Sequence, residues 1–170
     1  MKFNTKLLHG KAGRNTPDGA TLPGISQVSA FSYDSAEHLE KVFGNKSPGF
    51  AYTRIGNPTV AAFEQRINEV EGGTGAVACA SGMAAITVAL LNVLSAGDEI
   101  IAGSGLFGGT IDLFKDLEAF GITTHFIPHI TVEDIKPVLN QNIKAVFGEI
   151  IGNPGLDVVN IKEVSDFLHE

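Results

Sequence analysis

The sequence predicts an α/β protein with a mainly parallel β-sheet, preceded by an N-terminal arm that has little regular structure. Two observations lead to this prediction. From residue 57 onward, short apolar runs alternate with amphipathic segments of about 10–15 residues, which is typical of βαβ units with helices on both faces of a sheet. Before that point, residues 9–30 contain six glycines and prolines and show no sustained periodicity. We therefore expect an arm over residues 1–57 and an α/β domain over residues 58–170.

Local signals at the helix ends define the first two helices. The arm is predicted to contain one helix over Ala36–Phe43, with Asp34 or Ser35 as its N-cap and the following glycine as its stop. A second helix is predicted to begin after Asn57–Pro58, because asparagine caps well and proline is tolerated at the first helical position. The paired glycines at 72–73 are predicted to end it.

The remaining elements follow from apolar runs and the glycines that flank them. Strands are predicted over 75–80, 99–102, 123–127 and 144–150. Helices are predicted over 82–94, 110–120, 133–139 and 161–169, with Pro137 interrupting the third. Four strands are few for a parallel sheet that is buried on both faces, so we expect the N-terminal part of a larger protein. The alternative is a small, complete four-stranded domain.

Composition excludes several classes of protein. The formal charge of −7 over 170 residues argues against a nucleic-acid-binding protein. The longest apolar run, residues 84–91, is far shorter than the roughly 18 residues of a membrane span. The N-terminus has no apolar core typical of a secretion signal, and the single cysteine, Cys79, suits a reducing cytoplasm. Because only 18% of residues are charged, we expect an oligomer.

Other familiar sites have no support in the sequence. The five histidines and the cysteine lack the spacing of metal ligands, so no metal site is expected. No G-x-S-x-G motif occurs, which argues against a serine hydrolase. The glycines of residues 71–75 follow a predicted helix and precede a predicted strand. A dinucleotide-binding loop has the reverse order, so a helix stop and turn is the better interpretation.

A candidate anion site lies where the predicted strand 75–80 turns into a helix. Ser81, Gly82 and Met83 open that helix, where unpaired main-chain N–H groups and the helix dipole favour a phosphate. The alternative is ordinary N-capping by Ser81.

A second candidate anion site lies at the end of the arm. Tyr52 and Arg54 stand two residues apart in a segment predicted to be extended, so both side chains project to one side and form a clamp for phosphate or carboxylate. The alternative is that Arg54 pairs with a surface carboxylate and Tyr52 only packs.

Three further candidates follow predicted strands. Phe107 comes after the strand 99–102, while Glu149 and Asn153 come at the end of the strand 144–150. Ligands of open α/β sheets bind at the carboxyl ends of the strands, so Phe107 is placed to stack on a flat ring and Asn153 to bind a ring hydroxyl or phenolate. Alternatively, Phe107 belongs to the core and the other two only form a turn.

Taken together, these segments resemble the cystathionine γ-synthase-like family of pyridoxal-phosphate enzymes of cysteine and methionine metabolism. The matching stretches occur in the family's order across nearly the whole chain: Tyr52–Thr59, Glu71–Gly73, Ala80–Ala85, Gly97–Glu99, Leu106–Thr110 and Glu149–Pro154. The loop Leu106–Thr110 is most similar to that of O-acetylhomoserine sulfhydrylases. The resemblance implies part of a type I pyridoxal-phosphate transferase domain and pyridoxal 5′-phosphate as cofactor.

The resemblance also implies roles for the candidates at the cofactor phosphate. Gly82 and Met83 are expected to offer N–H groups to the phosphate, with Ser81 beside them. Tyr52 and Arg54 are expected to reach that phosphate from a neighbouring subunit, which implies a homodimer or homotetramer with shared active sites.

At the cofactor ring the resemblance implies three more contacts. Phe107 is expected to stack on the pyridine ring, where the family usually has Tyr, and Asn153 to bond the ring oxygen. We also expect Glu149 to be a cofactor-binding residue. Ser26–Gln27 stands where relatives usually have Tyr-Gln.

Some residues that the family requires have no match here. None of the nine lysines follows a serine as in the Ser-x-x-Lys context of the Schiff-base lysine. The aspartate for the pyridinium nitrogen and the arginine for the substrate carboxylate are also unmatched. We therefore expect these groups beyond residue 170 and expect the 170-residue chain alone to be inactive. The implied activity is synthesis of homocysteine from the amino-acid substrate O-acetylhomoserine and sulfide. Alternatives are a cystathionine or methionine γ-lyase or a γ-synthase of the same family, or a non-catalytic phosphate-binding or association fragment.

Overall fold

The computed structural model describes residues 1–10 and 19–169. The chain forms two compact units, Met1–Ala78 and Cys79–Glu170, and each is described here by itself. Among the described residues, none of the helices has the length and apolar character needed to cross a membrane.

Where the structure describes the first unit, it contains three helices: α1 (Phe3–His9), α2 (Ala36–Phe43) and α3 (Pro58–Glu71). Sequence periodicity did not predict α1, which has no buried residue. A side chain of α3 holds α1 in place: Arg66 Nη1 donates to the carbonyl oxygens of Lys6 and Leu7 at 2.7 and 2.9 Å. The Lys6 oxygen also accepts the N–H of Gly10 at 2.9 Å, so the guanidinium adds a positively charged donor at the C-terminal end of α1, where the helix dipole favours a cation.

The predicted caps of α2 and α3 are confirmed. Ser35 Oγ accepts a hydrogen bond from His38 N at 3.2 Å. Asn57 Oδ1 accepts one from Thr59 N at 2.9 Å. Gly72 ends α3 with a φ of 69°, a left-handed conformation that favours glycine.

The arm is irregular where the structure describes it. Residues 19–29 contain no helix or strand, and Ala30 forms an isolated antiparallel bridge with Tyr52. The predicted loop positions Gly13 and Pro17 lie outside the described residues.

The second unit carries the sheet. Its strands are β1 (Glu99–Gly103), β2 (Thr123–Ile127) and β3 (Ile143–Phe147), and its helices are α4 (Gly82–Val93), α5 (Gly108–Leu117), α6 (Val132–Ile135) and α7 (Ile161–His169). A 3₁₀ turn, Glu118–Phe120, extends α5. The strands are parallel in the order β2-β1-β3, and Glu99 lies opposite Thr123 of β2 and Ile143 of β3. The predicted parallel α/β class is confirmed.

Helices cover both faces of this sheet because successive residues of a buried strand point to opposite sides. Ile100 is fully buried in a cluster formed largely with α4 and α5: Leu90, Leu94, Ala102, Leu106, Phe114, Leu117 and Ile122. Ile101 is fully buried in the second cluster, on the side of α6 and α7: Ile127, Ile130, Ile135 and Val164.

The predicted strand 75–80 is wrong for the described chain. No strand ladder of the described residues includes it, and Val77 is 83% exposed. An apolar run becomes a strand only where a neighbour pairs with its backbone, and periodicity does not reveal that neighbour. The sheet therefore has three strands among residues 1–10 and 19–169.

Three other predicted limits shift. Helix α6 is only four residues long, since the following segment with Pro137 does not continue it. Strand β3 ends at Phe147 rather than at residue 150. Helix α5 begins two residues earlier than predicted, at Gly108.

Candidate functional site

The start of α4 presents free main-chain donors. Ser81 Oγ accepts a hydrogen bond from Ala84 N at 3.1 Å, and Ala85 N makes the first backbone helix bond, to Ser81 O at 3.0 Å. The N–H groups of Gly82 and Met83 precede that bond. A Cβ built on Gly82 would meet no atom within 4 Å. Ser81 therefore caps the helix, and the open space beside two N–H groups at its positive end fits a phosphate.

The start of α5 lies against the start of α4. Thr110 is only 1% exposed, and its Oγ1 lies 4.0 Å from Met83 Sδ. Phe107 occupies the N-cap position of α5, at the end of the loop that follows the carboxyl end of β1, and the residue is 55% exposed. Phe107 therefore lies outside the core of this chain. An exposed ring at this edge is available to a flat ligand.

The turn after β3 lies against the loop that carries Phe107. The main-chain N–H of Phe107 donates to Glu149 Oε1 at 2.8 Å. The N–H of Asn153 donates to the carbonyl oxygen of Gly105 at 3.1 Å. Asn153 is exposed, which agrees both with a side chain that binds a ligand and with a residue that only forms a turn. The structure thus brings Phe107, Glu149 and Asn153 together at the carboxyl edge of the sheet.

A cavity of about 200 Å³ lies at the same edge, between the ends of the three strands. Four of the residues that line the cavity are glycines, and because they have no side chain the backbone is accessible from the cavity. The residues around it include Gly103, Gly105, Gly148, Gly152, Glu149 and Asp157.

Tyr52 and Arg54 lie together in the first unit, but not as predicted. The segment between them is a turn, in which Ile55 N and Gly56 N donate to the carbonyl oxygen of Tyr52 at 2.9 and 3.0 Å. The prediction of an extended segment is therefore wrong at these residues. The alternation of side chains along the sequence did not reveal the hydrogen bonds that form the turn. The guanidinium of Arg54 nevertheless lies 5.5 Å from the centre of the Tyr52 ring, a cation–π distance.

Asn57 supports this turn in a way that the sequence did not reveal. It is 5% exposed, and its Nδ2 donates to the carbonyl oxygen of Ser26 and to Thr53 Oγ1, both at 3.1 Å. Thr53 Oγ1 in turn donates to the carbonyl oxygen of Val28. The cap motif signalled only the bond from Asn57 to Thr59, and its links to the arm depend on tertiary structure.

Glu99, at the opposite edge of the sheet, has a strongly lowered pKa. Side-chain hydrogen bonds from Asn140, His125 and Asn142 lower the pKa of Glu99 to about 2. Glu99 stands at the start of β1, away from the carboxyl edge. Within residues 1–10 and 19–169, no three His, Cys, Asp or Glu side chains are arranged to hold a metal ion.

Comparison with known proteins gives the family. The family described as Cys/Met metabolism PLP-dependent enzyme matches residues 4–170. The O-acetyl-L-homoserine sulfhydrylase of Corynebacterium glutamicum is 40% identical over 169 residues, which are 98% of this chain and 39% of that protein. An L-methionine gamma-lyase of Fusobacterium nucleatum subsp. polymorphum is 35% identical over 98% of this chain and 42% of its own length.

A solved structure agrees with these relatives. A candidate O-acetylhomoserine (thiol)-lyase of Campylobacter jejuni, which carries N'-pyridoxyl-lysine-5'-monophosphate, superposes with a TM-score of 0.87 at 30% identity. The match covers 99% of this chain and 42% of that one. The chain thus spans about two fifths of the length of the proteins it matches. Since the family match extends over nearly all of its residues, the chain belongs to the PLP-dependent enzymes of Cys/Met metabolism.

Proposed function

We propose that this chain forms the N-terminal part of a PLP-dependent sulfhydrylase, in which sulfide replaces the acetate group of O-acetylhomoserine to give homocysteine. The family, which depends on pyridoxal phosphate, and the sulfhydrylase among its relatives support this proposal. In this proposal residues 1–57 form the arm and residues 58–170 form the first part of the cofactor-binding domain. The enzyme acts in the cytoplasm.

One observation carries the proposal: three separate segments that bear the candidate residues meet at one edge of the sheet. Met83 of α4 contacts Thr110 of α5, and Phe107 at the start of α5 bonds Glu149 after β3. A helix N-terminus, an exposed aromatic ring and an amide at one edge suit a phosphorylated flat heterocycle.

The start of α4 binds the cofactor phosphate. The N–H groups of Gly82 and Met83 donate to it, and Ser81 lies beside them with a hydroxyl that already caps the helix. The open space at Gly82 lets the phosphate approach the backbone closely.

Phe107 and Asn153 hold the cofactor ring. The Phe107 ring stacks on one face of it, and the Asn153 amide donates to its phenolic oxygen. When bound, the cofactor withdraws electrons from the substrate's α-carbon. Phenylalanine keeps the stacking surface of the family's usual tyrosine but lacks a hydroxyl that exchanges a proton.

Tyr52 and Arg54 complete the phosphate site of a neighbouring subunit. The arginine supplies positive charge in a planar fork, and the cation–π contact with Tyr52 orients that fork. The proposal therefore includes a homodimer or homotetramer. The lysine that anchors the cofactor and the aspartate at its ring nitrogen come from residues outside this sequence.

The test is product analysis with the intact protein that contains this chain. It is incubated with pyridoxal 5′-phosphate, O-acetylhomoserine and sulfide, and homocysteine is measured by mass spectrometry. We expect homocysteine that depends on all three additions. A parallel reaction offers L-methionine alone, because a methionine γ-lyase is also among the relatives.

Two results contradict the proposal. Release of methanethiol from methionine without homocysteine synthesis would identify a γ-lyase of the same family. Binding of inorganic phosphate without turnover of either substrate would identify a non-catalytic module.

A further inference from the structure

The loop that presents Phe107 lacks a cap of its own. Phe107 is the N-cap residue of α5, and its apolar side chain makes no capping hydrogen bond. Helix starts leave several N–H groups without helical partners. Here the carboxylate of Glu149, 42 residues further along the chain, accepts the N–H of Phe107 itself at 2.8 Å. Its negative charge also lies at the positive end of α5.

A second bond joins the same two segments. Asn153 N donates to the carbonyl oxygen of Gly105 at 3.1 Å, two residues before Phe107. The backbones approach closely here, since a Cβ built on Gly152 would lie 3.2 Å from that oxygen. The turn after β3 therefore holds the loop after β1 at two points, one of them a charged side chain.

The Phe107 ring has a defined position on this loop. A Cβ built on Gly109 would lie 2.7 Å from Cε1 of the ring, so the ring folds over that glycine. Its orientation therefore depends on the main chain of residues 107–109. Whatever holds the Phe107 N–H also fixes where the exposed ring points.

We propose that Glu149 is a positioning residue: its carboxylate fixes the Phe107 loop by accepting the Phe107 main-chain N–H, and it does not itself bind the cofactor. This differs from the direct cofactor contact expected from the sequence. The structural part of the inference stands on the geometry alone. Its consequence for cofactor binding rests on the proposed function.

The first test needs no cofactor. Hydrogen exchange of the intact protein is followed by mass spectrometry on a peptide that spans residues 104–110. We expect Glu149→Ala to accelerate exchange there by about tenfold, because a hydrogen bond to a charged acceptor is lost. Glu149→Gln keeps an acceptor oxygen and is expected to change exchange by less than about twofold. The matched control is Glu118→Ala, which removes an exposed carboxylate at the far end of α5.

A further variant distinguishes loss of this hydrogen bond from general misfolding. Glu149→Asp keeps the charge but draws the carboxylate back by one methylene group, so it is expected to accelerate exchange in the same peptide. Unchanged exchange in both the Ala and the Asp variants would overturn the inference.

The second test measures pyridoxal 5′-phosphate affinity by fluorescence titration in a double-mutant cycle. We expect Glu149→Ala to weaken binding by about five- to tenfold, since the ring loses its fixed position, whereas in a Phe107→Ala background the same change adds less than about twofold. An equal loss in both backgrounds would show a direct contact with the cofactor and overturn the inference. Failure of the wild-type protein to bind cofactor would count against the proposed function, while the exchange experiment would still decide the role of Glu149.

Discussion

Asn57 Nδ2 lies 3.1 Å from the carbonyl oxygen of Ser26, a hydrogen bond that joins the arm to the turn carrying Tyr52 and Arg54. The same side chain caps α3 through Thr59 N. A second bond runs the other way, from Ser26 N to Thr59 Oγ1 at 2.9 Å. One buried amide therefore fixes both the start of a helix and the position of an otherwise irregular arm.

Replacing Asn57 is expected to destabilise the first unit in two separable steps. Asn57→Ser keeps an oxygen for the cap but removes the donor to Ser26, so we expect a loss of about 1–3 kcal/mol in the free energy of unfolding. Asn57→Ala also removes the cap, and we expect a total loss of about 2–4 kcal/mol. Urea unfolding followed by circular dichroism measures both.

The matched control for Asn57 is the exposed cap of α2. Ser35→Ala removes only the bond to His38 N, and we expect a loss of about 1 kcal/mol. If Asn57→Ser were as stable as the wild type, the link to the arm would contribute nothing to stability.

Features set by neighbouring residues were predictable from the sequence. Asn57 was predicted as a cap, Ser35 was one of two cap candidates, and capping was the alternative interpretation of Ser81. All three side chains accept the N–H that a cap would accept, because a cap involves residues only two or three positions apart. The strands β1 and β2 and the helix α7 also agree closely with the apolar pattern.

Features set by distant residues were not predictable. The run 75–80 has the composition of a strand, but strand formation depends on a pairing partner elsewhere in the protein. For Glu149 the motif gave the residue's position after a strand and did not reveal its hydrogen-bond partner. That partner, Phe107, is 42 residues away and bonds through its backbone, which carries no side-chain signature.

The pKa of Glu99 predicts a pH dependence of stability. Hydrogen bonds from Asn140, His125 and Asn142 lower this pKa from 4.5 to about 2 in the folded protein. The unfolded chain therefore takes up the proton first as the pH falls. The stabilisation by ionised Glu99 is fully present above pH 4.5 and is lost as the pH falls toward about 2.

The measurement compares the wild type with Glu99→Gln. We expect the wild type to have the larger free energy of unfolding at neutral pH, and the difference between the two proteins to shrink steadily between pH 4.5 and about 2. Urea unfolding across that range, with Glu118→Gln as a control for loss of an exposed carboxylate, gives the difference. A difference that grows on acidification would contradict the assignment of these hydrogen bonds.

Arg54 and Tyr52 allow a direct test of the anion clamp in the intact protein. Arg54→Lys keeps the positive charge but loses the planar fork, which matches phosphate in a bidentate way and stacks 5.5 Å above the Tyr52 ring. We expect this change to weaken pyridoxal 5′-phosphate binding by about tenfold, since charge-assisted hydrogen bonds to the phosphate are lost. Binding of pyridoxal, which has no phosphate, is expected to change by less than about twofold. Fluorescence titration with the two compounds separates these effects.

The same substitution at Arg66 controls for general damage to the first unit. Arg66 bonds the carbonyl oxygens of Lys6 and Leu7, so Arg66→Lys is expected to loosen α1 while leaving the affinity for either compound unchanged. Tyr52→Phe keeps the ring beneath the guanidinium but removes the hydroxyl, and we expect it to weaken pyridoxal 5′-phosphate binding less than Arg54→Lys does. Equal losses for pyridoxal and its phosphate in Arg54→Lys would mean that the guanidinium supports the fold of the turn. In that case Arg54 would not bind the phosphate, and the clamp would have to be abandoned.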